Sequence, residues 1–219
     1  WTSSATGIAT VGTSGTVTGM SPGVTTITYT LGTGCLATLP VTVNSAPGSI
    51  VGNRQLCIGS ITALSNSIPG GTWSSGSTAI ASVSASTGMV TGGSAGTANI
   101  TYTLPGGCFT VAVVTVNPLP AAIGGANNVC VSSTTTLTNT STVGTWTSSI
   151  PTLATIGATS GIVTGLAAGT LTITYTLPTG CYITMPFTVN PLPATITGTA
   201  VVCVNATTNL SDATTGGTW

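Results

Sequence analysis

Residues 170–177 read Thr-Leu-Thr-Ile-Thr-Tyr-Thr-Leu, a strict alternation of threonine with apolar side chains. Successive side chains of an extended chain point to opposite faces. Leu171, Ile173, Tyr175 and Leu177 therefore share one face, and Thr170, Thr172, Thr174 and Thr176 the other. That is the pattern of a half-buried strand. Threonine suits the outer face twice over: its branched Cβ favours extended backbone, and its hydroxyl offers water a polar but uncharged surface. The next segment alternates likewise, with Ile183, Met185, Phe187 and Val189 in phase, as are Ala37, Leu39, Val41 and Val43 earlier in the chain. Pro40 and Pro186 fall on the opposite phase, and a residue without an N–H predicts an edge strand or a bulge. Gly32-Thr33-Gly34 and Gly106-Gly107 separate the paired segments as hairpin turns would. No stretch has helical periodicity, so the chain is read as all-β.

The block around this strand recurs. SGTVTGMSPGVTTITYTLGTGC ending at Cys35 matches TGMVTGGSAGTANITYTLPGGC ending at Cys108 and SGIVTGLAAGTLTITYTLPTGC ending at Cys181. Trp1, Trp73, Trp146 and Trp219 keep the same beat, with separations of 72, 73 and 73 residues. Cys57, Cys130 and Cys203 form a second cysteine series beside Cys35, Cys108 and Cys181. Such self-similarity marks a tandem array of a repeat of about 73 residues. Each repeat holds about seven short strands, which fits a β-sandwich of immunoglobulin type. Asn117-Pro118-Leu119-Pro120 and Asn190-Pro191-Leu192-Pro193 mark the boundaries, with Asn44-Ser45-Ala46-Pro47 as a looser version. The expected division is 1–45 as the C-terminal part of a repeat, 46–117 and 118–190 as complete repeats, and 191–219 as the N-terminal part of another. Beginning inside a repeat at Trp1, the chain is expected to be a window on something longer.

Composition removes several functions. Among 219 residues there is one cation, Arg54, one anion, Asp212, and no His, Lys or Glu. Acid–base catalysis needs titratable side chains, and metal sites need clustered ligands, so no catalytic, cofactor-binding or metal-binding residues are assigned. Asp212 is expected to be a turn residue. One arginine does not neutralise a run of phosphates, which argues against nucleic acid. Apolar residues make up 41% of the chain, more than disordered segments carry, yet Thr, Gly or Ser interrupts every apolar run well short of a membrane-spanning helix. Six regularly placed cysteines read as a disulfide framework, which implies an oxidising compartment.

The succession Gly71-Thr72-Trp73-Ser74-Ser75, Ala-Ile-Ala-Ser-Val at 79–83, Gly-Met-Val-Thr-Gly at 88–92 and Ser-Ala-Gly-Thr-Ala-Asn-Ile-Thr-Tyr at 94–102 resembles the bacterial immunoglobulin-like domains of group 2. The resemblance implies tandem sandwiches in secreted or cell-surface proteins such as adhesins and invasin-like proteins. The cysteine pair and the Pro-Leu-Pro linkers are similar to those of very long secreted repeat proteins of the Bacteroidetes. The near absence of charge departs from most members of the family.

In immunoglobulin topology the loop before the second strand (Cys57, Cys130, Cys203) and the turn before the last (Cys35, Cys108, Cys181) lie at opposite ends. A disulfide spans a Cα separation of only about 4.4–6.8 Å. An inter-domain Cys57–Cys181 bond is therefore preferred over Cys57–Cys108 and Cys130–Cys181 within domains, and both readings stay open at this stage. Trp73 and Trp146 are assigned to the core rather than to sugar stacking. The threonine rows are read as a neutral surface or as acceptors of O-linked glycans; ice binding is the least favoured reading. The expected function is structural, an extracellular filament or surface fibre whose partners are copies of itself or further repeats of one polypeptide, the latter preferred. The alternative is the stalk or binding module of an adhesin recognising glycans or another cell.

Overall fold

The computed structural model describes residues 1–141 and 143–218. It divides into two compact units, Trp1–Pro118 and Leu119–Trp219.

Within Trp1–Pro118 the first strands are β1 (Thr2–Ser3), β2 (Ala9–Val11), β3 (Val17–Gly19), β4 (Gly23–Thr30) and β5 (Leu36–Val43). They form a β1-β4-β5 sheet and a β2-β3 ribbon. Seven more follow: β6 (Gln55–Cys57), β7 (Ile61–Ala63), β8 (Thr72–Ser75), β9 (Ala81–Val83), β10 (Met89–Gly92), β11 (Gly96–Thr103) and β12 (Phe109–Asn117). A four-stranded sheet β6-β12-β11-β8 faces a three-stranded sheet β7-β10-β9. Ile100, Val90, Val114, Val116, Leu64 and Trp73 lie in the core between them. This is an immunoglobulin-like β-sandwich.

The second unit repeats the plan with β13 (Asn128–Cys130), β14 (Thr134–Thr136), β15 (Thr145–Ser148), β16 (Ala154–Ile156), β17 (Ile162–Gly165), β18 (Gly169–Thr176) and β19 (Tyr182–Asn190). Its sheets are β13-β19-β18-β15 and β14-β17-β16. A short ribbon of β20 (Thr197–Gly198) and β21 (Leu210–Ser211) follows. The alternation at 170–177 does what its period dictates. Leu171, Ile173 and Tyr175 are buried, whereas Thr170 is exposed and Thr172, Thr174 and Thr176 are half-buried. Pro186 pairs with Thr172 on one side only, because β13 covers β19 at 188–190 and leaves the edge at Pro186 open. The missing N–H therefore costs no ladder bond there.

Each sandwich closes on an aromatic pair in cross-strand register. Trp73 is the partner of Tyr102 and Trp146 of Tyr175, with ring centroids 4.6 Å apart in both. The tilted contact is worth about 0.5–1.5 kcal/mol beyond the area it buries. The phenol oxygen then ties the incoming loop. Tyr102 Oη donates to the Ile68 carbonyl at 2.7 Å and accepts from the Gly71 amide at 2.8 Å. Tyr175 Oη does the same with Ser141 at 2.6 Å and Gly144 at 2.9 Å. Replacing Tyr175 by Phe strands one part-buried N–H and one carbonyl while the ring stays. Tyr175→Phe is therefore expected to lower unfolding free energy by about 1–3 kcal/mol, read as an earlier midpoint in urea at unchanged slope.

Candidate functional site

The turn between β11 and β12 is closed by the Leu104 amide on the Cys108 carbonyl (2.9 Å) and the Gly107 amide on the Leu104 carbonyl (2.9 Å). Gly107 has φ 82°, and its counterpart Gly180 has φ 84°, a left-handed conformation that glycine adopts without a Cβ penalty. The glycine-rich break is thus what sets Cys108 and Cys181 at one tip of their sandwiches.

The other cysteine series lies at the far end. β6 runs parallel to β12 with Thr115, Val116 and Asn117 opposite Gln55, Leu56 and Cys57. β13 repeats this against β19, with Thr188, Val189 and Asn190 opposite Asn128, Val129 and Cys130. Cys57 therefore sits at the last residue of β12 and Cys108 just before its first. Nine residues of strand lie between them, a span of about 30 Å at about 3.3 Å per residue. Cys130 and Cys181 are separated along β19 in the same way. That distance is several times what a disulfide bridges, so neither sandwich closes a bond on itself.

The redox states match this separation. Cys57 and Cys181 are each disulfide-bonded. Cys35, Cys108, Cys130 and Cys203 are free thiols, of which all but Cys108 are exposed. The intra-domain pairs Cys57–Cys108 and Cys130–Cys181 do not form.

Close packing at the β6 end depends on small residues. A Cβ on Gly92 would stand 2.7 Å from the Cys57 carbonyl oxygen and 3.0 Å from Val116 Cγ1. On Gly165 it would stand 2.7 Å from the Cys130 carbonyl oxygen and 3.0 Å from both Val129 and Val189. Glycine here makes room for the cysteine strand to lie across the sheet beneath it.

The remaining candidates fall as follows. Trp73 and Trp146 are buried, 7% and 5% exposed, whereas Trp1 is 50% exposed although it stacks on Tyr29 at 4.7 Å. Ala37 and Leu39 are exposed too: the layer described opposite β4 and β5 is the two-stranded β2-β3 ribbon, which is narrower than the three-stranded β7-β10-β9 sheet. Arg54 donates to the Ile50 carbonyl at 2.7 Å, and Asp212 accepts the Thr214 amide at 2.6 Å, a local turn. Among the described residues, no three His, Cys, Asp or Glu gather where a metal ion would sit, and no helix is long and apolar enough to cross a membrane.

Sequence reading assigned no role to the asparagine that ends each repeat. Within the first unit, Asn44 Nδ2 donates to the Gly106 carbonyl at 3.0 Å, and Cys108 Sγ lies 3.9 Å from the Asn44 carbonyl oxygen. The recurring Asn before each proline-containing linker was the available signal.

The family model of the bacterial Ig-like domain (group 2) matches residues 110–181, from β12 through the cysteine turn before β19. No curated protein matches the chain. Among solved structures, the C-terminal 282-residue fragment of intimin, in complex with the translocated intimin receptor's intimin-binding domain, is similar at 17% identity. The similarity covers 68% of this chain and 67% of that one, with TM-score 0.48. Domains 4 and 5 of the S-layer protein SbsC align at 16% identity over 68% of this chain and all of theirs, with TM-score 0.33. Mouse cadherin-23 EC22–24 aligns at 12% identity over 85% and 82%, with TM-score 0.29.

A thiol census checks the redox assignment. Native protein treated with iodoacetamide and then unfolded should show alkylated Cys35, Cys130 and Cys203, with Cys57 and Cys181 modified only after reductant. Alkylation of Cys57 without reductant would contradict it.

Proposed function

We propose that the chain is a structural segment of an extracellular filament or cell-surface fibre of a bacterium, in which immunoglobulin-like sandwiches are stapled end to end by disulfides, with Cys57 joined to Cys181. The observation that carries this reading is the placement of two cysteine series at opposite tips of each sandwich, about 30 Å apart by strand rise. Cysteines so placed pair only with a neighbouring module. A bond of this kind removes bending freedom at the junction and transmits tension through covalent links rather than through a linker alone.

The surface supports the same reading. With one cation and one anion in 219 residues, modules stack without like-charge repulsion, and low net charge favours association. The threonine faces remain hydrated through hydroxyls, which also offer O-linked glycans attachment points. The partners of the chain are then further repeats of the same polypeptide or copies of itself, and its role is mechanical.

Electron micrographs of the native assembly should show uniform fibres whose axial repeat is one sandwich length, about 30 Å or slightly more. Protein that stays single and instead binds immobilised glycans would replace this reading with that of an adhesin module. In solution, the Cys57→Ser/Cys181→Ser variant should keep its circular dichroism but gain a broader distribution of end-to-end distances by small-angle scattering. An unchanged scattering curve would remove the staple.

A further inference from the structure

In the first unit, the outer edge of β12 is covered only in part. β6 pairs with it at 115–117, and among the described residues no strand pairs with β12 on that side at 109–114. The Thr115 amide donates to the Arg54 carbonyl at 2.8 Å, so it points to this edge. Backbone direction alternates along a strand, and the amides and carbonyls of Phe109, Val111 and Val113 therefore point the same way. An uncovered row of such groups is a template for another strand.

The same three residues form an apolar stripe. Ala112, Val114 and Val116 of β12 are buried, which leaves Phe109, Val111 and Val113 on the outer face at 64%, 46% and 53% exposed. The corresponding strands of the other repeats are guarded where this one is not. They read Leu36, Thr38 and Pro40 in one and Tyr182, Thr184 and Pro186 in the other. In β12, valine stands at 111 in place of threonine, and at 113 in place of the proline that blocks edge pairing. Both changes raise strand propensity and apolar exposure on an edge that is already open.

We infer that β12 pairs antiparallel, along Phe109–Val113, with the same edge of a second copy, joining two sandwiches side by side about a two-fold axis. A strand paired antiparallel with itself is its own complement. The arrangement lays Phe109 and the two valines of one copy beside those of the other, and β6 ends the seam at Thr115. The occupant is a second copy because this edge offers no charge for a charged partner to recognise, in a chain with one cation and one anion. That cation, Arg54, is engaged by the Ile50 carbonyl at 2.7 Å. A surface so nearly neutral meets its own copy without the repulsion that keeps charged proteins apart. The contact runs along the flank of the sandwich and uses no cysteine, so it goes beyond the end-to-end reading and does not depend on it.

Sedimentation velocity of the full chain over a range of concentrations should show a monomer–dimer equilibrium, with a non-reducing gel of the same samples showing the dimer to be non-covalent. Amide hydrogen exchange should slow with concentration in the peptide covering 109–114 and stay constant in the one covering 182–187. Val111→Thr/Val113→Pro writes onto β12 the residues that β19 carries at the same register, so the sandwich is expected to fold. Near-ultraviolet circular dichroism of the tryptophans checks that it does. The variant should weaken dimerisation at least about tenfold, since each copy loses an edge amide and apolar contact. If it unfolds, Val111→Thr/Val113→Thr keeps every amide and the strand propensity, and should weaken the dimer in the same direction. Cys57→Ser/Cys181→Ser should dimerise as the parent does, so that failure of the staple leaves this contact standing. A chain that stays monomeric, a dimer without added protection at 109–114, a dimer lost with the disulfide, or dimerisation unchanged in the folded β12 variant would overturn the inference.

Discussion

Parallel pairing of a three-residue strand along the end of the last strand governs this architecture. β6 on β12, and β13 on β19, bring the beginning of a repeat back to its end. Parallel partners share a direction, so the first cysteine of a repeat lands at the C-terminal tip of the long strand, while the second sits in the turn that precedes that strand. Strand rise then keeps the two apart, and no rearrangement short of unfolding brings them together. The glycine beneath each cysteine strand, Gly92 or Gly165, is part of the same constraint, because a side chain there would collide with the cysteine carbonyl.

This arrangement leaves a module whose cysteines stand at its two tips and whose interior is held without a disulfide of its own. The Trp–Tyr pair and the phenol bridge to the incoming loop supply the interior link. In the first five strands, the burial of Thr25 shows how polar groups are handled: its hydroxyl meets those of Ser3 and Ser4 at 3.1 Å and accepts the Ala5 amide at 3.0 Å. A chain almost without charge has few other means of satisfying buried polar atoms, and hydroxyl networks of this kind replace ion pairs.

Much of the fold was legible from Thr170–Leu177 and its copies, because a period of two is a local property of an extended backbone. The seven-strand sandwich followed from turn spacing, and Trp73 and Trp146, read as core residues by likeness to the buried tryptophan of immunoglobulin sandwiches, are buried. Exposure of Leu39 and Trp1 was not legible, since alternation says which face is apolar but not whether another sheet covers it. The asparagine contacts were also hidden: Asn44 meets Gly106 across 62 residues of sequence, and nothing local to either residue announces the other.

By itself, the sequence determined an all-β chain of near-identical repeats with two cysteine series, one cation and one anion, since composition and periodicity are written residue by residue. Only the tertiary structure decided which cysteines are oxidised and which thiols stand free. Those outcomes depend on the direction in which strands pair and on distances across the sheet, and a one-dimensional pattern does not encode either.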